Sequence, residues 1–309
     1  TFAKNPIKHF YRQQLGLSLN LNDHSFSDVE SFEHDGLQRY KHVANLVDLN
    51  ADIESQTEHA WLTSGAFPPR KWGEDLLNDY QNTVSLMDEN VKQLRSEYMA
   101  HAKSSASRNI KLSMELDVDS LSVLLNADFK IDHGLTLVKR LSKDVRADDR
   151  IEAWLIHLCR SLSDKPGPTF LVSHNTGDFI SFNNIEPEQA SAFLKDWLRA
   201  YLTSSEFAKP IPWYGRFAYN TALAMLKGVP QHKVIESTRQ QINNDIDDPR
   251  ALIDEHVVRH FGPKHHLQDA FFTITERLLC PLLEHQVEGK MKKLASFMEE
   301  YVNQGGLSR

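Results

Sequence analysis

Two acids and a lysine in one short stretch raise the first chemical question. In DFKIDHGLTLVKRLS, Asp128 and Asp132 come before a turn and Lys139 comes after it, with the pair Asp148-Asp149 a few residues on. Carboxylates and a lysine on neighbouring strands can hold a divalent cation and activate a water for hydrolysis of a phosphate ester. The set lacks one member. An acid two residues before the lysine would complete it, and Leu137 occupies that place. The other register, Val138-Lys139-Arg140, has no acid either. Asp128 can stand for the first carboxylate, but a single carboxylate does not hold Mg²⁺ in a useful geometry. Leu137 is therefore expected to pack under the helix that starts near Arg146. The alternative is an unconventional metal site drawn from Asp128, Asp132 and the Asp148/Asp149 pair.

The elements that must position these residues are legible in the periodicity. Asp132-His133-Gly134 reads as a hairpin turn, and IKLSMELDV, SLSVLLNADFKI and LTLVKRLS alternate with a period near two, as consecutive antiparallel strands do. A helix is expected from about Ala147 to Leu162, packing through Ile151, Trp154, Leu155 and Leu158. TFLVSH and DFISFN read as two more strands, and EPEQASAFLKDWLRAYLTSS as a strong helix. The first third reads as helical. Pro6 opens a helix that Gly16 closes, a second runs through LQRYKHVANLVDLN, a short third through DIESQTEHAWLTSG, and a long amphipathic one from Glu74 to about His101. After the segment rigidified by Pro210 and Pro212 the pattern is helical again: TALAMLKG, VIESTRQQINND, PRALIDEHVVRHFG, and a last helix from Asp269 to Glu299 that Pro281 should kink.

Other chemistries are missing from the sequence. Neither G-x-x-x-x-G-K-[ST] nor G-x-G-x-x-G occurs, so the chain carries no glycine-rich phosphate loop, and no G-x-S-x-G elbow is present. The 15 histidines include no H-E-x-x-H, and the adjacent His265 and His266 read as solvated or capping residues. The acids at Asp148-Asp149 and in DIDDP (Asp245 to Pro249) read as caps at helix starts. Two basic-aromatic stretches are candidates for DNA or partner contact: KHFYRQQ, with Lys8 and Arg12, and KPIPWYGRFAY, with Lys209, Trp213, Tyr214 and Arg216. Packing of the same aromatics in the core is the other reading of each.

Composition narrows the class further. The 309 residues are 25% charged and 40% hydrophobic, an ordinary globular balance, with no apolar run near the ~20 residues of a membrane span. The net charge of −7 is unlike that of a free-standing nucleic-acid binder, so any DNA contact is expected to be one wall of a larger machine. Cys159 and Cys280 lie in apolar helical patterns and read as buried free thiols, suited to a reducing cytoplasm.

Several segments, taken in order, resemble the C-terminal domain family of RecC, the gamma chain of bacterial exodeoxyribonuclease V. FAKNPIKHFYRQQLGLSL is similar to the family's F-x-x-P-x-x-x-F-x-x-x-R-L entry segment, with Gln14 where arginine is usual. FEHDGLQRYKHVANLV resembles F-x-L-x-G-L-x-R-Y through Phe32, Gly36, Leu37, Arg39 and Tyr40. SGAFPPRKWGE resembles the Gly-Pro-Gly passage before the long helix, IEAWLIHLCRSL the W-L-x-H-L helix, and ERLLCPLLEH the closing L-x-P-L helix. The resemblance implies an α/β fold of α+β type: a PD-(D/E)xK nuclease-like core, with a small mixed sheet flanked by helices, after a helical N-terminal third. It implies a helical lead-in over residues 1–105 and a degenerate core over 106–309, in one compact domain of a longer chain. It also implies RecB-type and RecD-type partner subunits and DNA, in the cytoplasm and away from membranes. No cofactor is implied for this stretch, ATP and Mg²⁺ belonging to the partners. Asp128, Leu137 and Lys139 become the degenerate nuclease positions.

Overall fold

The structure is a computed structural model and describes residues 2–18, 34, 36–48, 62, 67–101, 106–140, 145–173, 177–206, 211–248, 253–262 and 269–303. Among them are six strands and ten α-helices. In chain order these are α1 (Pro6–Gln13), α2 (Gly36–Asp48), α3 (Lys71–His101), β1 (Arg108–Val118), β2 (Leu121–Asp132), β3 (Leu135–Arg140), α4 (Ala147–Ser161), β4 (Thr169–Ser173), β5 (Asp178–Phe182), α5 (Pro187–Glu206), α6 (Gly215–Leu226), α7 (Gln231–Asp247), α8 (Glu255–His260), α9 (Asp269–His285), β6 (Gln286–Lys290) and α10 (Leu294–Asn303). The strands form one sheet in the order β1-β2-β3-β4-β5-β6. The β3–β4 pair is parallel and every other pair antiparallel. A parallel neighbour needs a crossover, and α4 supplies it.

Alternation along the strands divides the interior. In β2, Phe129 and Ile131 turn to one face, where they join Trp154 and Leu158 of α4, Trp197 of α5 and Phe217 of α6 in the main core. On the other face Leu135, Phe170, Val172 and Phe179 meet Met87, Val91, Leu94 and Tyr98 of α3 and Met298 of α10. The lead-in helices share these cores, since Ile7 of α1 lies in the first and the second half of α3 forms the second. The first half of α3 packs with α2 through Leu77, Tyr80, Val43 and Leu46.

The hairpin turn forms as the sequence suggests. His133 and Gly134 have φ of 52° and 100°, the left-handed pair that a two-residue hairpin loop requires. Four expectations change. The last helix does not run to Glu299: α9 passes through Pro281 and stops at His285, and Gln286–Lys290 pairs with β5 as an edge strand. QVEGK is short, polar and carries a glycine, so it shows no strand periodicity. Gly289 lies opposite Phe179, and a Cβ there would collide with the Phe179 ring, so the strand depends on the glycine. The acids of DIDDP lie at a helix end, since Asp245 and Asp247 end α7 and Asp248 is its C-cap, while Pro249 and Arg250 fall outside the described residues. The helix expected over PRALIDEHVVRHFG is shorter: Asp254 caps a six-residue α8. Leu137 faces away from α4, in the core under α3. Most of DIESQTEHAWLTSG, together with His265 and His266, falls outside the described residues.

Candidate functional site

The acids singled out by their chemistry do not converge. Asp128 is exposed on β2, opposite Lys111 of β1. Asp132, at the hairpin turn, is buried and engaged: it accepts from Ser107 Oγ at 2.7 Å and from Arg95 Nε at 2.6 Å. Burial alone would push its carboxyl up, but the Ser107 and Arg95 hydrogen bonds and the charges of Arg95 and His133 hold it below the usual carboxylate range. Asp148 and Asp149 open α4, which follows the far end of β3, roughly 16 Å from the hairpin at about 3.3 Å per residue. Among the described residues no group of three or more His, Cys, Asp and Glu is arranged to hold a metal ion.

Leu137 and Lys139, expected from the resemblance to be degenerate nuclease positions, lie on β3 between β2 and β4. Leu137 is opposite Phe170 in the β3–β4 register and half-buried against the α3 core. Thr136 and Val138 therefore face the α4 side instead, because a strand turns successive residues to opposite faces. Lys139 is half-buried opposite Val172, on the same face as Leu137.

The Asp148-Asp149 pair is a structural cap with an ionic neighbour. Asp149 is fully buried; its Oδ2 accepts the Arg146 backbone N–H at 2.9 Å, and its Oδ1 lies 2.5 Å from Arg140 Nη2. No N–H is aimed at that Oδ1, so the Arg140 contact is an ion pair of proximity more than a directed hydrogen bond. The Asp148 carboxyl is raised by burial and then by the charge of Asp149. Lys4 of the N-terminal segment pairs with Glu152 of α4 at 2.5 Å.

The aromatic contact candidates are mostly core. Trp213 is fully buried, its indole N–H donating to Thr275 Oγ1 at 3.2 Å and its ring edge-on to Trp197. Tyr214 packs edge-on to Phe217, and burial pushes its hydroxyl up to about 12. The expectation that these two rings form a contact surface therefore gives way: helix-forming residues after Tyr214 turn the segment inward against α9. Arg216 is exposed, 3.5 Å from Asp245, and Lys209 lies outside the described residues. In α1, Phe10 is buried, Lys8 pairs with Asp254 at 2.6 Å, and Arg12 is exposed. Cys159 and Cys280 are buried free thiols, as expected, both pushed up to about 11 by burial.

Two buried polar residues of α4 had no role assigned from the sequence, His157 entering only through the W-L-x-H-L resemblance. His157 bridges from Nδ1 to Thr169 Oγ1 at 3.3 Å and from Nε2 to the Asn183 carbonyl at 3.1 Å, and burial holds it down to about 4. Arg160 is 3% exposed, with one hydrogen bond, Nη2 to the Gly134 carbonyl at 3.2 Å. The sequence signal was partial: His157 stands one turn after Trp154 beside the apolar face, whereas nothing local marks Arg160 as buried.

The described residues form a mixed α/β domain with a six-stranded sheet and a helical N-terminal part. The chain belongs to the RecC C-terminal domain family, whose sequence profile matches residues 1–226 and so ends with α6. The ERLLCPLLEH likeness lies beyond that match. Among known proteins the chain is similar to the RecBCD enzyme subunit RecC of Buchnera aphidicola subsp. Acyrthosiphon pisum (strain APS), 23% identical over 204 residues. That alignment covers 65% of this chain and 18% of the relative's length. No described helix is long and apolar enough to cross a membrane.

Proposed function

We propose that this chain is the catalytically silent C-terminal part of an exodeoxyribonuclease V gamma chain, acting as scaffold and DNA guide in double-strand-break repair and recombination. Its core is read as a PD-(D/E)xK nuclease-like fold that has lost its site. Support comes from the family membership and from the layout of antiparallel hairpin, third strand, crossover helix and parallel fourth strand. The observation that carries the reading is Leu137. It sits where the second strand's acid would have to be, and its side chain belongs to an apolar core. A leucine offers no oxygen to a metal. RecB-type and RecD-type subunits are the proposed partners and duplex ends and single strands the DNA, in the cytoplasm, with ATP and Mg²⁺ used by the partner subunits.

The test has two arms. The full chain with Mg²⁺ or Mn²⁺ should leave linear DNA uncut and its melting midpoint unmoved, since an ion that binds the folded state must stabilise it. Metal-dependent cleavage that disappears in Asp128→Ala would sink the silent-core reading. In a reconstituted complex, deletion of residues 1–309 should abolish assembly or unwinding. Full activity without them would remove the scaffold role.

A further inference from the structure

At the hairpin end of the sheet three residues carry buried polar atoms without hydrogen-bond partners. Arg160 Nε and Nη1, Arg108 Nε and Thr136 Oγ1 are each shielded from solvent and unpaired. Cross-strand register explains why they gather. Arg108 pairs with Ile131, Ile131 with Thr136, and Thr136 with Thr169, so all four side chains form one row on one face. Ile131 places that face in the core with Leu158 of α4, and the last turn of α4 lowers Arg160 onto the Gly134 carbonyl at the same end. At the far side of the row, Thr169 is already occupied by His157.

A guanidinium 97% removed from solvent is expected to have an anion beside it. Among the described residues no carboxylate is bonded to the Arg160 guanidinium, and the Tyr98 phenol, which also acts on Arg160, is pushed up by burial and stays neutral. Asp132, at the hairpin turn, is saturated by Arg95 and Ser107. Asp164, in the loop after α4, is exposed and acts on Arg160 only at a distance. The neighbouring charge of Arg108 adds to the burial of Arg160 instead of relieving it.

We propose that this end of the sheet is a binding site for a phosphate-sized oxyanion, held by Arg160, Arg108 and the Thr136 hydroxyl. Two cations favour a multiply charged ligand. The free donors also outnumber what two carboxylate oxygens readily accept, which favours a phosphoryl group over a carboxylate. Entry is from the Arg108 side, because Arg108 is only half-buried and β1 is the terminal strand of the sheet. The opposite wall is backbone: a Cβ on Gly167 would lie 2.8 Å from Arg160 Nη2. The phosphoryl group can come from free phosphate or from a DNA strand. The site stands on the chain's own geometry and does not depend on the function proposed above.

The experiment is thermal melting of the full chain in inorganic phosphate, in chloride and in acetate at matched ionic strength. Phosphate at about ten times its Kd should raise the midpoint by roughly 2–4 °C, with chloride and acetate giving no such rise. Arg108→Gln, at a half-buried edge position, should erase the phosphate increment while leaving the phosphate-free midpoint in place. Arg160→Met should do the same; should that variant not fold, the Arg108 variant carries the test. A short single-stranded oligonucleotide that reproduces the shift, with the same loss in Arg108→Gln, identifies a strand phosphate as the source. A shift with inorganic phosphate alone identifies the free ion. Equal shifts in phosphate and chloride, an acetate shift matching phosphate, or an increment that survives Arg108→Gln would overturn the proposal.

Discussion

The two ends of α4 solve the same problem differently. Each buries a charge: Asp149 in the first turn, fully covered, and Arg160 in the last, 3% exposed. The acid has its charge matched, although its Oδ1 accepts no directed hydrogen bond. It caps the helix start, where the dipole favours negative charge, and it has Arg140 beside it. The arginine sits where the dipole favours a cation, yet it has one carbonyl for five N–H donors. One end of the helix has its buried charge matched by an opposite charge of the chain, and the other does not. The first reads as structure and the second as a site, although both would look alike in a list of buried charges.

The comparison breaks most easily at the matched end. In Arg140→Leu, Asp149 stays buried with the cap hydrogen bond and without its cation. Removing one partner of a buried pair should cost roughly 3–5 kcal/mol. Urea unfolding measures this directly, and a midpoint within error of wild type would mean that proximity to Arg140 contributes nothing.

The sequence showed the meander, the crossover helix and the turn because each follows from local periodicity and turn chemistry. Ile151, Trp154 and Leu158 lie in the core at the spacing that announced them. What it could not show were quantities fixed by pairing. Whether Leu137 or Val138 faces α4 depends on which residue lies opposite Phe170, and a one-residue slip exchanges the two faces. β6 exists because Gly289 lies against Phe179, a contact over a hundred residues apart in the chain. The aromatic run around Trp213 looked like a surface because composition records residue types and not which side of a helix meets α9. Arg160 was passed over for the same reason: its meaning lies in the cross-strand row beneath it.

Between the two ends lies His157, which sharpens the comparison through pH. Burial, opposed by the Asn183 carbonyl and aided by the charges of His285 and Arg160, holds its imidazole at about 4 against an ordinary 6.5. Between those values the unfolded chain takes a proton that the folded chain refuses. Stability should therefore fall as pH drops through this window, by about 3 kcal/mol in full. Asp148 acts in the opposite sense: its raised pKa makes the folded chain bind a proton more readily and gain stability as pH falls. The difference between wild type and His157→Gln isolates the histidine. The variant should lose less stability than wild type between pH 7 and roughly pH 4, and parallel curves would show that His157 stays neutral for no energetic reason.

The smallest expected effect is at the unmatched end, and its smallness is the point. Arg160→Met removes a buried cation, fills much of the same volume with an unbranched apolar chain, and leaves no anion behind, because none was paired with it. Replacing a buried charge by a well-packed apolar side chain is often neutral or stabilising. The Gly134 carbonyl loses one hydrogen bond of about 1 kcal/mol. Against this the desolvation of the guanidinium is relieved, as is its repulsion with Arg108. In phosphate-free buffer the variant should therefore unfold within about 1 kcal/mol of wild type, or above it, while Arg140→Leu falls well below. A loss at position 160 as large as that at position 140 would mean that Arg160 is as well matched as Asp149, and the contrast between the two ends of α4 would disappear.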